Sequence, residues 1–143
     1  MIKKTLVVND NVITLLLVSK MIQKAEFANE TVTATNGEEA LVYFENIVSM
    51  GKEHFGEVPD FVFLDMHMPH MDGLEFLEIF SERYADIFPE VKVAILSSSM
   101  DQSELFGINK YGFLLTSVIP PINLEKLGIV KDMYLNQQCT FDA

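Results

Sequence analysis

A chain of 143 residues with 49% hydrophobic content is long enough for one domain with a sizeable core. Its net charge of −11 opposes nucleic-acid binding through phosphate contacts and suits a divalent cation or basic protein partners. No apolar run nears the ~20 residues that span a bilayer. The start is short and strand-like rather than a signal peptide, and Cys139 is the single cysteine. A soluble, cytoplasmic protein is therefore expected, without a disulfide framework, a Cys-based zinc site or membrane contact.

In chain order, Leu6, Val7 and Val8 form a first strand. Residues 12–24 repeat apolar positions at helical spacing, with Asp10 or Asn11 as the N-cap. The β-branched stretch 31–34 is a second strand. Asn36 and Gly37 turn the chain into a helix over 38–50, with Ala40, Leu41 and Phe44 facing inward, followed by a polar loop over 51–59. Phe61, Val62, Phe63 and Leu64 have no polar interruption, which suits a strand buried on both faces. A third helix is predicted over 74–84, a fourth strand over 91–96, and a short helix over 101–111 weakened by Gly107. The fifth strand spans 113–115. Pro120 and Pro121 break the chain before a last helix over 122–135. Five strands alternate with five helices, so the expected fold class is α/β. It is a doubly wound, flavodoxin-like parallel sheet of five strands, layered α/β/α. Residues 1–136 form the domain and 137–143 a loose tail, with no room for a further output domain.

Polar groups gather at three strand ends: Asn9 and Asp10 after the first, Asp65 after the third, Ser97 after the fourth. In a doubly wound sheet these strands can be neighbours at the switch point, where ligands bind. Two carboxylates and a carbonyl make an oxygen-rich site suited to Mg²⁺, beside which an aspartate can act as nucleophile toward phosphorus. A serine hydroxyl could donate to a phosphoryl oxygen. Pro69 and Gly73 shape the loop after Asp65. The competing reading of Asp10 is a helix cap, although residues 13 and 14, Ile and Thr, supply no capping box. Ser97, Ser98 and Ser99 could also serve as helix caps. His67 and His70 suggest a transition-metal pair, but Pro69 between them prevents a regular helical turn. Met66, Met68 and Met71 read as packing for the loop.

The motifs Leu6 to Asp10, Asn36 to Leu41, Phe63 to Gly73 and Ile95 to Ser99 together resemble the receiver domain of two-component response regulators. The resemblance covers residues 3–135. It implies that Asp65 is the phosphorylated aspartate and Asp10 the Mg²⁺-binding acid. The backbone carbonyl of His67 would complete the metal site, with Asn9 a water-mediated ligand. Ser97, with Ser98 beside it, would bind the phosphoryl group and switch on activation, and Gly73 would let the loop close. It implies a histidine kinase or phosphotransfer protein as donor and a downstream protein as receiver of the signal. It also implies a partner face on the fourth helix, fifth strand and fifth helix that could support a homodimer. The modification would be on the protein itself, so no enzyme activity of its own is expected.

Three departures qualify the resemblance. The usual acidic pair is Asn9 and Asp10, one charge short. The usual lysine after the fifth strand is missing: counting forward from Tyr111 and Gly112 puts Ile119 there, counting back from Leu127 puts Pro120 there. The aromatic switch residue three positions earlier would be Thr116 or Ser117, and Lys110 is the candidate for a spatial substitute. Two rival readings follow. One is a degenerate receiver that binds partners without phosphorylation. The other is an aspartyl-nucleophile phosphohydrolase, whose Asp-x-Asp pattern is absent because position 67 is His.

Overall fold

Strands form where apolar residues crowd without helical spacing, and each here has five residues. The computed structural model describes residues 2–97, 107–108 and 110–136. In it β1 (Lys4–Val8), β2 (Glu30–Ala34), β3 (Phe61–Asp65), β4 (Lys92–Leu96) and β5 (Leu114–Val118) form one sheet in the order β2-β1-β3-β4-β5. Every pairing is parallel. The helices α1 (Val12–Lys24), α2 (Gly37–Met50), α3 (Gly73–Arg83) and α4 (Leu124–Asn136) complete the connections that the described residues define. The fold is the flavodoxin-like α/β arrangement expected from the alternation. Gly107 and Ile108 are helical; the helix predicted over 101–111 otherwise lies outside the described residues, as do Ser98, Ser99 and the tail over 137–143. Among the described residues no helix is long and apolar enough to cross a membrane.

Alternate side chains of each strand face opposite sides, so a central parallel strand must be apolar on both. Leu6, Val62, Leu64 and Ile95 pack with Phe44, Phe76 and Phe80 of α2 and α3. Val7, Phe61, Phe63 and Leu96 pack with Leu15 and Ile22 of α1 and Leu127 of α4. Aromatic rings fill the first core: Phe44 lies 5.1 Å from Phe80 and 5.9 Å from Tyr84. A buried Phe of this kind is worth about 3–5 kcal/mol against Ala.

Several boundaries differ from the sequence expectation, each for a local reason. The loop over 51–59 contains a short 3₁₀ helix, Lys52–Glu57, packed through Phe55 against Phe88 at 5.0 Å. β5 runs to Val118 rather than stopping at residue 115. As an edge strand it tolerates an exposed Ser117 while Thr116 and Val118 are buried. A register shift opposite Val93 and Ala94 accommodates Leu115. α4 starts at Leu124, two residues later than expected, because the Asn123 side chain caps it by accepting the Lys126 N–H at 2.8 Å.

Candidate functional site

The parallel register brings the strand ends together. Val8 pairs with Leu64, and Asp65 pairs with Leu96. Asn9 and Asp10, just beyond β1, therefore flank Asp65 on one side, and Ser97, just beyond β4, flanks it on the other. Asp65 is half-buried; Asn9 and Ser97 are buried at 9% and 7% exposure, and Asp10 is exposed. The chain past β1 is tied to β2 by the Asn9 N–H, which donates to the Ala34 carbonyl at 3.1 Å. The Ser97 N–H donates to the Val118 carbonyl at 3.1 Å, fixing the end of β4 against β5.

The cap of α1 is Asn11, whose Oδ1 accepts the Thr14 N–H at 3.0 Å. Asp10 is thereby relieved of the capping role and left at the site. Asn9 Oδ1 accepts the Asn11 N–H at 2.9 Å, which turns the chain from β1 into α1 and leaves that oxygen one lone pair for a water.

The loop after Asp65 is held by packing. Met66 and Met68 are buried, Met71 rests on Gly37 at the start of α2, and Pro69, His67 and His70 are exposed. The Gly73 N–H donates to the Met66 carbonyl at 3.0 Å, and Asp72 caps α3 by accepting the Glu75 N–H at 2.9 Å. A Cβ on Gly73 would stand 2.5 Å from Met66 Sδ and 2.8 Å from Met66 Cα, so only glycine closes this turn.

Burial lifts the Asp65 carboxyl above its ordinary value, and the negative charge of Asp10 adds to this. The His67 N–H, which Asp65 Oδ1 accepts at 3.1 Å, pulls the other way without cancelling it. Asp65, with the Asp10 charge close enough to hinder its ionisation, fits a divalent cation. The available donors, Asp10, Asp65 and backbone carbonyls, are all hard oxygens, and Mg²⁺ needs only one or two carboxylates beside its waters. Among the described residues no three His, Cys, Asp or Glu side chains are grouped to hold a metal, so His67 and His70 enter no such cluster.

The other side of Asp65 is an apolar cavity of about 700 Å³ lined by residues of α1, β4 and the loop after β5. Pro120 lines it together with Asp65, whereas Ile119 is 64% exposed and lines a different hollow beside α4. Of the two positions left open for the missing lysine, Pro120 is the one that shares a cavity with Asp65, and Ser117 is then the residue three before it. Lys110 is no substitute: it precedes β5, lies at the opposite end of that strand from Val118 and stands 5.3 Å from the Tyr111 ring. The cation that sequence reasoning missed is Lys126, whose Nζ donates to the Ile119 carbonyl at 2.5 Å and the Pro121 carbonyl at 3.1 Å. Its place in the first turn of α4, seven residues after Ile119, was the available signal.

The sequence matches the response regulator receiver domain family over residues 5–115. No curated protein matches it. Three solved structures show the fold it shares. A two-component response regulator from Cytophaga hutchinsonii has 21% identity and a TM-score of 0.80, over 94% of this chain and 98% of that one. Chemotaxis protein CheY4 of Vibrio cholerae has 22% identity and a TM-score of 0.71, over 94% and 99%. A response regulator receiver domain protein from Clostridium thermocellum has 23% identity and a TM-score of 0.72, over 94% and 95%.

Proposed function

The chain belongs to the response regulator receiver domain family, and from that premise we propose that it accepts a phosphoryl group on Asp65. The observation that carries this reading is the convergence of Asp65 with Asp10, close enough for Asp10 to hinder Asp65 ionisation, beside the buried Ser97. The donor is a phosphohistidine of a histidine kinase or phosphotransfer protein. An Asp65 oxygen attacks phosphorus, the P–N bond breaks, and the imidazole leaves with the electron pair. Asp10, Asp65 and the His67 carbonyl would hold Mg²⁺, with Asn9 acting through water. Mg²⁺ would neutralise charge on the transferring group. The Ser97 hydroxyl donates to a phosphoryl oxygen, and Gly73 keeps the loop close behind Met66. Water later cleaves the acyl phosphate. The protein acts as a signalling domain in the cytoplasm, presenting an altered surface to a downstream protein.

Acetyl phosphate with Mg²⁺ should add one phosphoryl mass to the protein, and Asp65→Asn should abolish the gain. The position of Pro120 supports a second reading, a receiver that binds its partner without phosphorylation, since no lysine is among the described residues that line the cavity with Asp65. The absence of any mass gain, with partner binding unchanged in Asp65→Asn, would establish that reading instead.

A further inference from the structure

The cavity beside Asp65 is larger than carboxylate chemistry requires. At about 700 Å³ it lies within the range of roughly 300–1,000 Å³ typical of sites that bury small organic molecules. Leu17, Val18 and Met21 of α1 form one wall, and Pro120, Pro121 and Ile122 form the other. Among the described residues that line it, Asp65 is the single charged one and none is Lys or Arg. Position 120 and Asp65 both line this space, and with proline there no described lining residue places a cation opposite the carboxylate.

We propose that the cavity binds a small organic ammonium compound, its alkyl or aryl body between α1 and the two prolines and its amine on the Asp65 carboxylate. Charge selects the cation. An anion would meet Asp65, the nearby Asp10 and a protein of net charge −11, and a neutral apolar molecule would desolvate the Asp65 carboxylate, which accepts the His67 N–H, without supplying a counter-charge. Such a ligand reproduces the alkyl stem and ammonium of a lysine side chain. Binding would cover Asp65 and so compete with its modification. The site itself requires no phosphorylation.

The test is an amide NMR titration of the full chain with phenethylamine, without Mg²⁺ or a phosphoryl donor, and with phenethyl alcohol as the uncharged control. The amine should give saturable shifts at Leu17, Val18, Ile122 and Asp65, and the alcohol should bind about tenfold more weakly. Asp65→Asn should bring the amine down to the level of the alcohol. Leu17→Ser, at an exposed helical position, should weaken both alike. Dispersed spectra of the two variants report that they are folded. Absence of saturable shifts up to about 10 mM amine, equal binding of amine and alcohol, or unchanged amine binding by Asp65→Asn would overturn the proposal. Because the titration contains no phosphoryl donor, its outcome is separate from the acetyl phosphate result.

Discussion

The loop after β3 and the loop after β5 both border Asp65, yet they are held by opposite means. The first is packed solid: Met66 and Met68 are buried, Gly73 touches Met66, and Asp72 caps the next helix. The second leaves Ile119 and Pro120 exposed, is held by exposed hydrogen bonds from the Lys126 ammonium to two carbonyls, and opens a cavity toward α1. Steric closure fixes the loop that follows the Asp65 carboxylate. Across from it, the loop after β5 is tied by contacts that water can replace. On the proposed function, the carboxylate that would receive a phosphoryl group is held by the packed loop, and the loop after β5 carries proline where the family resemblance implies lysine.

The contrast breaks most sharply at Gly73. Gly73→Ala forces the Met66 backbone away from α3 and should cost about 1–3 kcal/mol, read as a lower urea midpoint, with phosphoryl acceptance falling as Asp65 shifts. Pro120→Lys should work the other way, supplying an ammonium within reach of Asp65 and raising affinity for the phosphoryl mimic beryllium trifluoride about tenfold. An unchanged affinity would mean that the loop after β5 cannot deliver a cation.

The titration of Asp65 sharpens the comparison through stability. Its native carboxyl holds a proton more tightly than the unfolded chain does. Stability therefore falls as pH rises from about the ordinary value of 3.8 through the raised native value, and stays lowered above it. Asp65→Asn removes this loss. The variant should be the more stable protein near neutral pH, with the gap closing below pH 3.8, as read by urea midpoints across the range. The smallest effect belongs to Lys126→Met, whose contacts are exposed. It should cost about 0.5 kcal/mol or less while broadening the amide signals of Ile119 and Ile122, and the signals of the loop after β3 should stay sharp.

Much of the fold was legible because the signals are local. Phe61 to Leu64 suited a strand buried on both faces and forms one, and α1 was read to the residue from its helical spacing. The motif from Asp65 to Gly73 likewise carried its own turn chemistry. The end of β5 was not legible, because Thr116 and Ser117 are polar enough to read as loop, and only their place at the sheet edge makes a strand of them. The capping choice between Asp10 and Asn11 turned on which side chain could reach the Thr14 N–H, a matter of backbone direction rather than residue type.

By itself the sequence determined the residue chemistry around Asp65: a carboxylate closing an apolar strand, a second acid after β1, and a proline and a glycine that shape the loop between Asp65 and the next helix. These are properties of short segments, set by side-chain periodicity and sterics. The tertiary structure alone decided what faces that carboxylate. Pro120 rather than Ile119 shares a cavity with it, Lys110 lies at the far end of β5, Lys126 serves two backbone carbonyls, and that cavity separates α1 from the prolines. Those relations depend on how the β5 register and the start of α4 aim residues distant in sequence toward one strand end, and no local pattern encodes that direction.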